Sequence, residues 1–196
     1  MSSKLNTKRC SWVTEDPIYK EYHDEEWGNI EHFKDDHYLF EMLTLEGAQA
    51  GLSWLTILKR RENYRAAFAH FDPAKVALYE DAQLNKLMNN KGIIRNRRKI
   101  VSTIQNAKVF LQVQQKYGSF HAFLWSFVGE QQMNAHPQVD SDVPASTELS
   151  IRLSKALKKL GFSFVGPIIC YSFMQAVGLV NDHTAECFLY DEKRVI

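Results

Sequence analysis

The chain has 196 residues, of which 24 are Lys or Arg and 23 are Asp or Glu, giving a formal net charge of +1. That length suits one well-cored domain, and the balanced charge excludes a global basic field, so a nucleic-acid partner requires positive charge sorted onto one face. Three cysteines, an odd number, argue against a disulfide framework and for a reducing cytoplasm.

The first ten residues, Met1 to Cys10, contain no apolar stretch of the kind that marks a secretory leader. The segment that follows is acidic, with Glu15, Asp16, Glu21, Asp24, Glu25 and Glu26, and it carries His23. The hydrophobic period then becomes helical, and the first expected helix spans Asp36–Ala50. Its end runs into Leu45-Glu46-Gly47-Ala48-Gln49-Ala50-Gly51-Leu52-Ser53-Trp54. Here a lone carboxylate, Glu46, stands in apolar company, which is costly without a partner. Small residues admit a flat group close to the backbone, and Trp54 offers a face on which a planar cation would stack. The segment therefore suggests a pocket for a flat, cationic, hydrogen-bonding ligand. The plainer reading is a helix–turn with a solvated Glu and a core Trp.

Further helices are expected at Ser53–Ala69, Pro73–Leu78, Asp81–Asn89, Arg95–Tyr117 and Ser119–Phe127. Asp72-Pro73 reads as an N-cap followed by proline in the first turn, and Gly118 as a helix end. Basic clusters occur at Lys59-Arg60-Arg61, at Arg95-Asn96-Arg97-Arg98-Lys99 and at Lys155, Lys158 and Lys159; singly, each reads as a solvated helix face. The polar stretch Gly129–Ala145, with Pro137 and Pro144, is long enough to be a functional loop. Leu149, Leu153, Ala156, Leu157 and Leu160 mark a helix over Ser146–Leu160, ended by Gly161, and another covers Pro167–Val177. The most apolar run, Phe162 to Val180, is interrupted by Gly166, Pro167 and Gly178 and reads as core, not as a membrane span. No sustained period-2 run is present. One all-α domain over residues 1–196 is expected.

Two pieces of this chain carry chemistry beyond Glu46. Between the last two helices, Gly161 and Gly166 permit a tight bend with exposed backbone N–H groups. With Lys158 and Lys159 beside it and a helix N-terminus after it, this bend suits a sequence-independent phosphate grip; the plainer reading is an ordinary helical hairpin. Cys10 and His23 at one end, and His183 and Cys187 at the other, make up the two-Cys, two-His set that zinc prefers. A spacing of four places His183 and Cys187 on one helical face. A four-ligand centre leaves no open position, so this one would be structural. Cys170 reads as core, although spacing alone leaves the fourth ligand open.

Taken together, Cys10-Ser11-Trp12, Tyr22-His23-Asp24-Glu25-Glu26-Trp27-Gly28, the Leu45–Trp54 segment, Gly92-Ile93-Ile94-Arg95, Gly161–Gly166 and Asn181-Asp182-His183 resemble the 3-methyladenine DNA glycosylase I family. The resemblance extends from Cys10 to Cys187. It implies an all-α fold of the helix-hairpin-helix glycosylase superfamily, with one structural Zn2+ held by Cys10, His23, His183 and Cys187. It carries the pocket roles to Tyr22, Glu46 and Trp54, with Glu46 as the recognition and catalytic residue, and DNA contacts to Gly161, Gly166, Lys158 and Lys159. It also implies a monomer in the cytoplasm, beside a bacterial nucleoid, acting on double-stranded alkylated DNA without a membrane or redox cofactor.

The chemistry fits that resemblance. An N3-methylated adenine is cationic within its nucleotide, so its glycosidic bond is already weak, and the enzyme must mainly extract and hold the base. Relatives that cleave the strand place a lysine just after the hairpin glycine, where this chain has Pro167 and Ile168, so no Schiff base is expected. Three cysteines are too few for an iron–sulfur cluster. Asp182 stands where superfamily members carry a carboxylate that stabilises the sugar cation, but it also adjoins His183. Two other classes are weighed against this reading: a zinc-stapled helical module that binds nucleic acid without chemistry, and a zinc hydrolase of a small substrate, which the closed ligand set disfavours. Within the glycosylases, a wider lesion range remains open.

Overall fold

The computed structural model describes residues 7–129 and 131–190. Among them are ten α-helices: α1 Pro17–Glu25, α2 Asp36–Gln49, α3 Trp54–Leu58, α4 Arg61–Ala67, α5 Pro73–Val76, α6 Asp81–Asn89, α7 Arg97–Tyr117, α8 Phe120–Val128, α9 Glu148–Leu160 and α10 Pro167–Ala176. The expected all-α class is therefore observed. None of these helices is long and apolar enough to cross a membrane.

Helix α2 is the axis of the fold. Every residue from Tyr38 to Ala48 is buried, the signature of a helix packed on all sides. It is surrounded by Phe33, Phe68, Phe71, Phe110, Phe120 and Phe173, all essentially inaccessible. Its first residue also anchors a neighbour. The Asp36 carboxylate accepts from Gln114 Nε2 at 2.7 Å, Phe120 N at 2.8 Å and His121 N at 3.0 Å, holding α7 and the start of α8 against α2. Caps form where the sequence signals them. Asp72 accepts from Ala74 N and Lys75 N with Pro73 in the first turn, and Gly118 (φ +86°) ends α7.

Four expectations need correction. The helix expected over Ser53–Ala69 breaks at Lys59–Arg60 into α3 and α4. The break turns Arg61 inward, where its guanidinium pairs with Glu26 at 2.6 Å and with Glu41 at 2.5 Å; a buried charge with two carboxylate partners outweighs one more helical turn. Helix α1 is not foreseen by the hydrophobic period, because only Tyr22 and His23 of its nine residues are buried. Its cap is legible all the same: Asp16 accepts from Ile18 N at 3.1 Å, with Pro17 behind it. The long loop holds a minimal parallel pair, β1 Met133–Asn134 on β2 Val180–Asn181, with Met133 opposite Val180. Two residues per strand leave no period to read. The segment from His183 to Cys187 is a turn and not a helix, closed by Cys187 N on the Thr184 carbonyl at 2.8 Å.

Where the chain leaves α10 it crosses the segment after α1 at very close range. Gly28 N donates to the Gln175 carbonyl at 3.0 Å, and Gln132 Nε2 bridges the carbonyls of Gly28 and Gly178 at 2.7 and 2.8 Å. A Cβ on Gly178 (φ +76°) would lie 2.5 Å from the backbone of Asn29 and Ile30. Gly178→Ala combines a disfavoured left-handed φ with a backbone clash. It should destabilise the fold by about 2–4 kcal/mol, lowering Tm by roughly 5–15 °C in calorimetry. An unchanged Tm would show that the crossing is loose.

Candidate active site and metal centre

The crossing at Gly28 and Gly178 brings the two ends of the described chain together. Cys10, His23, His183 and Cys187 are all buried, and one donor atom from each lies within 4.8 Å of the others. Cys187 Sγ lies 3.4 Å from His23 Nε2 and 3.4 Å from His183 Nδ1, and Cys10 Sγ lies 3.5 Å from His183 Nδ1. Around a tetrahedral metal with ordinary Zn–S and Zn–N bonds, the S···N edge is about 3.5 Å. The donor set and its spacing therefore fit a metal ion of that size. The ring nitrogens not facing the cluster have acceptors of their own. His23 Nδ1 meets Asp24 Oδ1 at 2.9 Å, and His183 Nε2 meets the Trp27 carbonyl at 3.2 Å. Cys170, the third cysteine, is fully buried in α10 against the Val165 carbonyl and outside this cluster.

Immediately beside it opens a cavity of about 340 Å3 with aromatic walls from Trp12, Tyr19, Tyr22, Trp27 and Trp54. Tyr22 and Trp54 approach at 5.4 Å between centroids, inclined by 59°, so they form two walls of a corner. Glu46 reaches the cavity from the last turn of buried α2; it is 3% exposed and its Oε2 has no hydrogen-bond partner. Burial pushes its carboxyl up to about 8. Two more lining groups are left without partners, Trp54 Nε1 and Asp182 Oδ1. The other oxygen of Asp182 accepts from the Tyr171 hydroxyl and from Gln175 Nε2, both at 2.6 Å. Asp182 makes no bond to His183, whose backbone N–H goes to Asn181 Oδ1 at 3.1 Å. Buried polar atoms are normally satisfied. Three orphans converging on one cavity mark a place built for a polar ligand.

The glycines of the region divide by role. Gly51 (φ +81°) is required by the turn between α2 and α3, and Gly47 lets Phe164 pack at 3.3 Å from where its Cβ would stand. Gly51 thus serves the turn and Gly47 the seating of the hairpin on α2. In the hairpin, Gly161 (φ +105°) caps α9 and makes the bend. Gly166 does not: its φ of −65° suits any residue, and a Cβ there would meet nothing within 4 Å. Lys158 and Lys159 stand exposed on the last turn of α9. The hairpin is seated on α2 at Gly47 and on α7 through Asn106, which exchanges hydrogen bonds with Ser163 at 2.8 and 3.0 Å.

The model of the methyladenine glycosylase family matches residues 12–190. The chain belongs to the methyladenine glycosylase family. It is 54% identical over 183 residues to DNA-3-methyladenine glycosylase 1 of Escherichia coli, covering 93% of this chain and 97% of that protein. It is 49% identical over 182 residues to DNA-3-methyladenine glycosylase of Haemophilus influenzae, covering 92% and 97%. A crystal structure of 3-methyladenine DNA glycosylase I superposes with a TM-score of 0.89 at 52% identity, covering 92% of this chain and 98% of the other. The Staphylococcus aureus enzyme, solved to explain 3-methyladenine recognition, gives 0.87 at 40% identity, covering 91% and 94%. Family membership makes this a DNA-repair enzyme that hydrolyses the N-glycosyl bond of 3-methyladenine.

Sequence reasoning placed Tyr22, Glu46 and Trp54 in the pocket, and the fold brings all three into this cavity of the glycosylase. It did not find Trp12, Tyr19, Gln49 or Gln175 among the lining residues, nor Asp140 and Val143 from the long loop. The signal for the last two was the length of that loop; for Trp12 and Tyr19 it was aromatic density beside a suspected ligand, Cys10.

The burial of Glu46 sets a pH dependence. Its carboxyl binds a proton more tightly in the fold than near 4.5, the ordinary value. Stability therefore declines as pH rises from about 4.5 to about 8 and is flat beyond. Glu46→Gln has no such charge to bury. Its stability relative to the parent should rise across that window by on the order of 3–5 kcal/mol, read by denaturant unfolding at pH 5 and pH 9. Parallel curves would mean that Glu46 ionises freely.

Proposed function

We propose that this cavity receives a 3-methyladenine turned out of duplex DNA, and that Glu46 is its chief recognition residue. The observation that carries the reading is the convergence of Glu46 Oε2, Trp54 Nε1 and Asp182 Oδ1, all unpartnered, inside an aromatic box. The Glu46 carboxylate accepts hydrogen bonds from the adenine edge, and the positive charge of the alkylated base in DNA favours the ionised form. Tyr22 and Trp54 flank the ring, their quadrupoles preferring the cationic base to normal adenine. Burial and the nearby Glu46 hold the Tyr22 hydroxyl well above its usual value, so it stays protonated. As the C1′–N9 bond breaks, its electron pair leaves with the base, which becomes neutral, and the sugar becomes an oxocarbenium-like cation. The carboxylate of Asp182, held by Tyr171 and Gln175 with Oδ1 free, offsets that charge. Water adds to C1′ and loses a proton, leaving an intact abasic site.

The remaining parts follow the same reading. The Cys10, His23, His183 and Cys187 centre holds one structural zinc, and the only chemistry that ion supplies is to bind the two ends of the chain. Gly161, Gly166, Lys158 and Lys159 hold phosphates; Gly166 supports this because nothing among the described residues requires its lack of a side chain. Pro167 and Ile168 stand after the hairpin where a Schiff-base lysine would be needed, which supports a reaction without one. The enzyme works as a monomer on double-stranded DNA in the cytoplasm, at the nucleoid.

Purified protein should release free 3-methyladenine from methylated duplex DNA. A charge-assisted hydrogen bond contributes roughly 1.5–3 kcal/mol. Glu46→Gln should therefore reduce kcat/KM by about 10–150-fold, and Trp54→Ala should also lose activity, with the metal content of both unchanged. Free 3-methyladenine should shift the Tyr22 and Trp54 resonances without DNA. Full activity in Glu46→Gln would refute the assignment.

Lysines that touch phosphates leave a different trace. Lys158→Ala with Lys159→Ala should weaken binding equally on all duplex sequences. It should flatten the dependence of log K on log salt by about 1.8, roughly 0.9 for each phosphate no longer neutralised. An unchanged slope would return the hairpin to a purely structural role.

A further inference from the structure

The metal cluster carries an arrangement that its four ligands do not explain. Arg9 grips Asp24 with both prongs of its guanidinium, Nε to Oδ1 at 2.7 Å and Nη2 to Oδ2 at 2.5 Å. The same Oδ1 accepts from His23 Nδ1 at 2.9 Å. Arg9 adjoins Cys10, and its guanidinium also lies over the ring of Phe188, next to Cys187, at 5.9 Å. One side chain, next to Cys10, thus touches two further ligand-bearing stretches.

We propose that Arg9 and Asp24 are positioning residues of the metal centre, locking His23 in the tautomer that offers Nε2 to the metal and so setting how tightly the metal is retained. The inference rests on reading the cluster as a zinc centre. A neutral imidazole has one protonated nitrogen. With the proton on Nδ1 and given to Asp24, the lone pair of Nε2 is left facing Cys187 Sγ at 3.4 Å. Asp24 alone would not enforce this, because a partly exposed carboxylate on a turnable side chain has solvent as an alternative. The bidentate guanidinium removes that freedom. His183 uses the opposite tautomer, and there the acceptor is the Trp27 carbonyl, which no side-chain substitution can tune. Among the described residues, Asp24 is thus the one side-chain carboxylate bonded to a ligand histidine. Such outer partners raise ligand basicity and fix ring orientation.

A competing role is simple stapling of the chain ends. Another ion pair, Lys8 with Glu186 at 2.9 Å, joins the two stretches that the Arg9–Phe188 contact joins, while touching no ligand. It serves as the internal control.

The full chain is loaded with zinc, and transfer of the metal to an excess of a colorimetric chelator is timed. Asp24→Ala and Arg9→Ala should weaken retention by about 10–100-fold, with Asp24→Asn in between because it keeps an acceptor oxygen. Lys8→Ala should match the parent. The nitrogen chemical shifts of His23 should show Nδ1 protonated in the parent and a changed tautomer balance in zinc-loaded Asp24→Ala. Should Asp24→Ala fail to fold, Arg9→Ala and Asp24→Asn carry the same comparison. Parent-like retention in Arg9→Ala and Asp24→Asn, or an equal loss in Lys8→Ala, overturns the proposal and leaves the zinc reading standing. A parent chain that takes up no zinc overturns both.

Discussion

A carboxyl group buried without a partner is costly to ionise, and the fold holds Glu46 in that position. Glu46 sits in the last turn of α2, a helix buried without a break from Tyr38 to Ala48. Left on a mobile segment, it would swing to water or find a donor. On an axis packed by six phenylalanines it has neither option. The unfavourable burial is stored as affinity for whatever brings donors and positive charge to that spot. Local rules are broken at the site and obeyed around it, the usual division in a functional protein.

The second organising feature is that the cavity and the Cys/His cluster share their walls. Tyr22 lines the cavity and His23, the next residue, faces the cluster. Trp27 lines the cavity with its ring while its carbonyl holds His183. Asp182 faces the cavity and His183 the cluster. The ring of Trp12 stands between, edge-on to His23 at 5.3 Å and 5.0 Å from Trp27. Trp12, Trp27 and Asp182 reach the pocket from segments outside the helices. Their placement depends on the cluster, on the Gly28–Gly178 crossing and on the bridge from Gln132. Tyr19, Tyr22, Glu46 and Trp54 reach it from helices. The Cys/His cluster can thus matter to chemistry it never touches.

The helical frame was legible because its period, caps and terminal glycines agree with one another. The Asp72-Pro73 start and the Gly118 and Gly161 stops fall where the residues place them. The ligand quartet was legible from donor type, and Glu46 from its apolar surroundings. What escaped has physical causes. The break between α3 and α4 answers to Arg61 finding Glu26 and Glu41, partners 35 and 20 positions away. The unwinding at His183–Cys187 follows from gathering four donors around one point. The role of Gly47 shows only when Phe164, from the other end of the chain, is seen resting on it. Long-range partners decide each of these, and a local pattern cannot contain them.

The wide separation of the clustered residues along the chain has a temporal side. Cys10 and His183 are 173 positions apart. At ordinary rates of synthesis, about 5–20 residues per second, Cys10 waits roughly 10–35 s for its counterpart to be translated. During that interval Trp12, Tyr22 and Trp27 lack the segment that braces them, while α2 can already begin to gather its neighbours. The helical body is thus able to form before the pocket is closed. A nascent chain stalled short of His183 would carry Glu46 on its completed axis and still have no chamber in which to use it.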